Sequence, residues 1–163
     1  MNNLENKKIL IIICGGIAAY KSLELIRDLK KIGVEIKTIL TESAKKFVTE
    51  LSVSALSNGK VYSDMFDHQT ENEMSHIQLS RWADLIIICP ATANTISKLS
   101  NGISDDLAST VVLASNKKIF IVPAMNVRMW EHASNKLNIK KLKEYGYKFI
   151  GPEIGEMACG EYG

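Results

Sequence analysis

Short, nearly unbroken apolar runs alternate along this chain with segments whose apolar positions recur every three or four residues. Residues 8–14 read Lys-Ile-Leu-Ile-Ile-Ile-Cys. Both faces of that run are apolar and helical spacing is absent, the pattern of a parallel strand buried on both sides. Residues 85–89 and 119–122 are runs of the same kind. Residues 18–32 instead put Leu23, Ile26 and Leu29 on one face, with Gly33 as the stop. Residues 34–40 alternate like a strand. Thr41 and Ser43 offer a cap for a helix through Phe47, and residues 49–56 read as another helix before Asn58-Gly59. Residues 64–75 are polar and acidic and read as a loop. A basic helix over residues 135–145 stops at Gly146, and residues 147–150 make a last short strand. Strand, helix and strand in repetition predict right-handed crossovers and a parallel sheet. With no internal repeat or linker, residues 1–163 form one α/β domain, a single doubly wound sheet with helices on both faces.

That layout, shared by Rossmann- and flavodoxin-like domains, places a ligand outside the carboxyl ends of the strands. The loops there are Gly15-Gly16-Ile17-Ala18, Thr41-Glu42-Ser43-Ala44, Pro90-Ala91-Thr92-Ala93-Asn94-Thr95, residues 123–130 and residues 152–163. All are rich in small, hydroxyl, amide or proline residues. Residues 123–130 stand out, because Met125, Met129 and Trp130 surround the single amide of Asn126. Soft apolar side chains around one amide suit a pocket that fixes one polar group of a ligand. They suit core filling equally well.

Composition narrows the function classes. The chain has 163 residues, 46% hydrophobic and 23% charged, with a formal charge of +2, the balance of an ordinary soluble domain. Basic residues are dispersed, as in Lys30-Lys31 and Lys140-Lys141, without the aromatic interleaving of a nucleic-acid surface. No apolar run approaches the length of a membrane span, and the N-terminus lacks the layout of a signal peptide. A cytoplasmic protein is expected. The cysteines, Cys14, Cys89 and Cys159, are odd in number and widely spaced, which argues against a disulfide framework and a zinc site. Cys14 and Cys89 end strand-like runs. Cys159 lies in a glycine-containing loop, where a thiol can react.

Gly15-Gly16 joins a strand to a helix, where backbone N–H groups can approach a phosphate. A tight turn would also explain the pair. The segment lacks G-x-G-x-x-G, the second strand ends in Leu40-Thr41 rather than an acid for a ribose, and there is no Walker loop. A mononucleotide fits better than NAD or ATP. Thr41, Ser43, Thr92, Asn94 and Thr95 add uncharged donors, some of which helix capping would use. Among the histidines, His68 and His132 read as solvated. His76, where the acidic loop meets an apolar segment, is either a general base or a half-buried structural residue. Asp67, His68, Glu71 and Glu73 suit a solvated loop better than a metal site, so no metal is assigned.

Four segments, in order, resemble the flavin-dependent cysteine decarboxylases, and within them the phosphopantothenoylcysteine decarboxylase branch. They are Gly15-Gly16-Ile17-Ala18-Ala19-Tyr20-Lys21, Pro90 to Thr95, Pro123 to Trp130, and Ala158-Cys159-Gly160-Glu161. Thr92 stands where serine is usual, and Glu161 where aspartate is common. The resemblance implies FMN held near Gly15, Gly16, Ile17, Thr41, Ser43, Thr92, Ala93, Asn94, Thr95 and Ala124. It implies a base at His76, an acid at Cys159, carboxylate recognition by Asn126, and Met125, Met157 and Ala158 around the substrate. In the implied reaction the cysteinyl carbon is oxidised to a thioaldehyde, the carboxylate leaves as carbon dioxide, and the ene-thiolate is reduced while Cys159 supplies a proton. The flavin takes up two electrons and returns them, so the reaction balances internally. The product would be phosphopantetheine, in coenzyme A biosynthesis. A peptidyl-cysteine decarboxylase and a non-catalytic FMN-binding regulatory subunit are the alternatives. Cys159 argues against the first, and His76 together with Cys159 against the second. A flavin prenyltransferase shares the fold class but has no reason to carry residues 123–130. The resemblance further implies a homo-oligomer, a trimer or a multiple of trimers. Relatives commonly run past the position of Gly163, some into a synthetase domain, so a truncated C-terminus is expected.

Overall fold

The computed structural model describes residues 4–65 and 75–163. Six strands, β1 (Lys8–Ile13), β2 (Glu35–Leu40), β3 (Val61–Tyr62), β4 (Leu85–Ala91), β5 (Lys118–Pro123) and β6 (Lys148–Phe149), pair in parallel in the order β3-β2-β1-β4-β5-β6. The order reverses between β1 and β4, and such a reversal opens a crevice at the carboxyl edge. β1 is the centre of the sheet: Ile9 stands beside Ile36 of β2 and Leu85 of β4.

Alternation along β1 feeds two separate cores. Ile9, Ile11 and Ile13 pack with Ala19 and Ile26 of α1 (Ala19–Lys31) and Val53 of α2 (Glu50–Ser57). Leu10, Ile12 and Cys14 face the other layer. That layer holds α3 (Ser75–Trp82), α4 (Ala93–Ser100), α5 (Leu107–Leu113) and α7 (Ala133–Glu144), through Leu79, Ile96, Val111 and Leu142. Each fully buried isoleucine contributes about 1.5–3 kcal/mol. The sheet is therefore doubly wound, as the sequence predicts.

Local signals set the ends of elements. Gly33 takes φ +82, open to glycine at little cost, and its N–H closes α1 on the Lys30 carbonyl at 3.1 Å. Thr49 caps α2 by accepting from Ser52 N. The helix expected from Thr41 through Phe47 is only a 3-10 turn, Ala44–Lys46. Ser43 makes no cap bond to it, and Thr41 Oγ1 instead accepts from Ala44 N at 3.3 Å. Residues 123–130 are not wholly loop either, since a short α6 (Val127–Glu131) begins after Asn126. Most of the expected acidic loop, including Asp67, His68, Glu71 and Glu73, lies outside the described residues. No described helix is long and apolar enough to cross a membrane.

Candidate active site

The five loops at the carboxyl edge touch one another in series. A Cβ added to Gly15 would stand 2.4 Å from Ser43 Cβ, so the first two loops are in contact. Thr95 Oγ1 donates to Cys14 Sγ at 3.2 Å, joining the loop after β4 to the end of β1. Ala124 N donates to Ala91 O at 3.0 Å, joining the loops after β4 and β5. Asn126 Nδ2 donates to Glu161 Oε2, which ties in the segment after β6. Each loop was read from the sequence as binding edge, and the contacts make them one surface.

Between β2 and β4 this edge opens into a cleft of about 330 Å³. Thr41, Ser43, Thr92, Asn94 and Thr95 line it, together with Ser63, Lys98 and Asp106, which the sequence reading did not single out. Several donors are already engaged. Thr41 and Ser43 hydroxyls lie 3.3 Å apart, those of Thr92 and Thr95 3.1 Å apart, and Thr92 caps α4 by accepting from Thr95 N. Asn94 is exposed, and its side chain makes no hydrogen bond among the described residues. Gly15 is needed for packing against Ser43, whereas a Cβ at Gly16 would meet nothing within 4 Å. Gly16 and Asn94 thus face open space, and Ile17 beside them is 63% exposed.

Lys98 reaches across to Asp105 at 2.7 Å and Asp106 at 2.8 Å, which both hold its ammonium protonated. Burial pushes the Asp106 carboxyl up, but the bonds from Lys98 and Ser109 outweigh it and leave the acid below its ordinary value. Asp106 also caps α5 in a reciprocal box with Ser109. The cleft is therefore lined by hydroxyls and the Asn94 amide, with Leu40, Leu107 and Ala108 among them, and its charged groups are ion-paired: Lys98 with Asp105 and Asp106, and Glu42 with Lys45. Burial pushes the Cys14 thiol up to about 11, so it behaves as core.

A second group of residues lies beyond β5. Asn126 Oδ1 caps α6, accepting from Arg128 N at 2.8 Å and Met129 N at 3.3 Å. Only Nδ2 remains to meet another group, and it meets Glu161. Residues 155–163 form a hairpin: Met157 N donates to Glu161 O at 2.8 Å, Gly160 N to Met157 O at 2.9 Å, and Gly163 N to Gly155 O at 3.1 Å. Gly160 takes φ +79, the left-handed position that completes such a turn. Cys159 is exposed at the tip, with Ala158 before it, and its Sγ lies 3.6 Å from Glu161 Oε2. Asn126 and Cys159, 33 positions apart, thus converge on a single carboxylate oxygen.

The remaining assigned residues separate. Met125 and Trp130 are partly buried against the core, while Met129 is 48% exposed. Asn135 Nδ2 holds Met125 Sδ at 3.4 Å and the Trp130 carbonyl at 3.3 Å. Core packing therefore explains two of the three large side chains in that segment. Met157 is half-buried and approaches Gly163, and Ala93 opens α4 beside the cleft. His76 is half-buried near the start of α3, a helix packed on α5, and does not line the cleft.

Residues 1–163 match the pattern of the Flavoprotein family across their full length. The chain belongs to this family. The Bacillus subtilis coenzyme A biosynthesis bifunctional protein CoaBC is 48% identical over 160 residues, covering 98% of this chain but 39% of that relative. The chain thus spans well under half of the curated relative it matches. Among solved members of similar fold, the FMN-dependent cysteine decarboxylase SpaF has a TM-score of 0.88 at 30% identity, covering 98% of this chain and 91% of that one. A PPC decarboxylase mutant complexed with pantothenoylaminoethenethiol has a TM-score of 0.86 at 29% identity, covering 98% and 89%.

Proposed function

We propose that this chain is an FMN-dependent carboxy-lyase that converts phosphopantothenoylcysteine to phosphopantetheine in coenzyme A biosynthesis. The convergence of Asn126 and Cys159 on one carboxylate oxygen carries this reading. An amide that orients a carboxylate and a thiol that delivers a proton nearby are what removal of carbon dioxide followed by protonation requires. The relatives named above support the choice of substrate.

Residues 1–163 act as the decarboxylase domain. Neutral hydroxyl and amide donors fit the uncharged carbonyls and nitrogens of an isoalloxazine. Thr41, Ser43, Thr92, Ala93, Asn94, Thr95 and Ala124 hold FMN, and Gly15, Gly16 and Ile17 give it room. Bound FMN supplies a reversible two-electron acceptor. His76 acts as the base, Asn126 orients the substrate carboxylate beside Met125, Met157 and Ala158, and Cys159 protonates the decarboxylated carbon. The protein works in the cytoplasm, which its three free thiols suit. It assembles as a homo-oligomer, a trimer or a multiple of trimers. Ile17 and Tyr20 near the start of α1, Phe47, and Leu51 of α2, all exposed by 49% to 78%, supply apolar surface for that contact. In the full-length protein a synthetase domain follows.

The test is anaerobic incubation of the FMN-loaded chain with phosphopantothenoylcysteine, beside a peptide ending in cysteine. Carbon dioxide and phosphopantetheine from the first alone are expected. Turnover of the peptide alone would make the chain a peptidyl-cysteine decarboxylase, and turnover of neither would leave a flavin-binding regulatory subunit.

A further inference from the structure

Glu161 holds the position where the proposed substrate must place its own carboxylate. Because Oδ1 of Asn126 is committed to the first N–H groups of α6, the amide cannot turn over without uncapping that helix. Its Nδ2 is left as the sole side-chain group that Asn126 can offer, and Glu161 takes it. Nδ2 carries a second hydrogen, but two carboxylates crowded on one nitrogen repel each other. Only one of them can hold the site at a time.

The contact also governs the hairpin. Residues 155–163 carry their own backbone bonds but reach the body of the protein at α6, through Glu161 on Asn126 and Gly163 against Val127. A Cβ on Gly163 would stand 2.7 Å from Val127 Cγ2, so this second contact is close packing without polar bonds. Cys159, at the tip, touches the same Glu161 oxygen. Displacing that oxygen would release the thiol from it and leave the hairpin held to α6 by the Gly163 packing alone.

We infer that Glu161 is a resident carboxylate that latches the 155–163 hairpin onto α6 at Asn126, and that the incoming substrate carboxylate takes its place. The inference rests on the reading of Asn126 as the substrate-carboxylate site. Exchange of one carboxylate for another makes and breaks no covalent bond. It gives the site a means of sensing its substrate, since only a ligand bearing a carboxylate releases the latch. The decarboxylated product lacks that group, so Glu161 returns to Asn126 once carbon dioxide has left.

The test compares FMN-loaded protein with its Glu161→Ala and Glu161→Gln variants. Three readouts are used: KM for phosphopantothenoylcysteine, affinity for phosphopantetheine, and hydrogen exchange at the Met157 and Gly163 amides. Removing a competitor held by one charge-assisted hydrogen bond should lower KM by about tenfold in Glu161→Ala, with a smaller fall in Glu161→Gln. Phosphopantetheine affinity should not change, and both hairpin amides should exchange faster. An unchanged or raised KM, equal tightening of phosphopantetheine, or unchanged exchange would overturn the latch. A fall in kcat at constant KM would overturn it too, and would assign Glu161 to positioning Cys159. If the unaltered protein shows no turnover, the proposed reaction fails, and the exchange measurement alone decides whether Glu161 holds the hairpin.

Discussion

The cleft beside β2 and β4 and the hairpin at residues 155–163 are built on opposite plans. The cleft residues extend from strands whose side chains are almost fully enclosed, and its hydroxyls bond to one another and to nearby backbone. A group placed there meets donors that are already oriented, so little conformational entropy remains to be lost on binding. The hairpin is mostly exposed and attached through Glu161 and Gly163. Few buried contacts mean a low free energy of local opening. The difference teaches a division of labour: a rigid edge suits a cofactor kept through every cycle, and a loosely held arm suits a substrate that enters and leaves.

The strongest way to sharpen that contrast is to remove the two proposed proton-transfer groups one at a time. His76→Asn is expected to lower carbon dioxide release by about 10²- to 10⁴-fold while the flavin absorption band persists. If turnover survives, His76 is structural. Cys159→Ser should keep FMN and still release carbon dioxide, but accumulate an oxidised decarboxylated compound detectable by mass spectrometry. Normal product at the normal rate would remove Cys159 from the reaction.

Next in size is a change that strikes the rigid side alone. Gly15→Ala brings a Cβ within 2.6 Å of the Ser43 backbone carbon, which cannot swing aside as a side-chain tip could. Overpacking of this kind costs about 1–3 kcal/mol and should appear as weaker FMN retention in an absorbance titration. Gly16→Ala, which meets nothing in the protein, should leave stability intact, so any loss of FMN there reports the cofactor itself. Thr92→Ala removes the cap of α4 and should cost about 0.5–2 kcal/mol in a denaturant titration.

Much of the rigid side is legible in the sequence because burial on both faces leaves a plain trace. β1, β4 and β5 carry runs of isoleucine with leucine, phenylalanine or valine that no surface element would carry. Other elements escaped the reading. β3 is two residues long, too short to show a period. α5 reads Leu-Ala-Ser-Thr-Val-Val-Leu, and its β-branched, nearly all-buried content obscures a helical face. In α4 the apolar pair Ile96 and Leu99 has helical spacing, but Thr92, Asn94 and Thr95 draw attention as binding groups first. Thr92 is in fact both a cap and a cleft residue. The loose side was less legible, because it depends on a contact between Asn126 and Glu161, 35 positions apart. Lys98 and Asp106 were missed for a similar reason, since their pairing spans the turn between two helices.

The smallest expected effect is on acid stability. The Asp106 carboxyl, though raised by burial, is held net below its ordinary value by Lys98 and Ser109. Its contribution is therefore present above the unfolded-state value, about 3.9, and is lost as pH falls through the folded one. Asp106→Asn should flatten the acid limb of the stability profile, read as melting temperature against pH. An unchanged limb would show that the Lys98 pair does not bear on folding.

The whole scheme depends on a flavin seated at the carboxyl edge of the sheet. Gel filtration of the purified chain after loading with FMN, monitored by the flavin absorption band, tests this most directly. Co-elution of stoichiometric FMN with the protein is the predicted result. Protein that elutes colourless in the presence of excess FMN would contradict it.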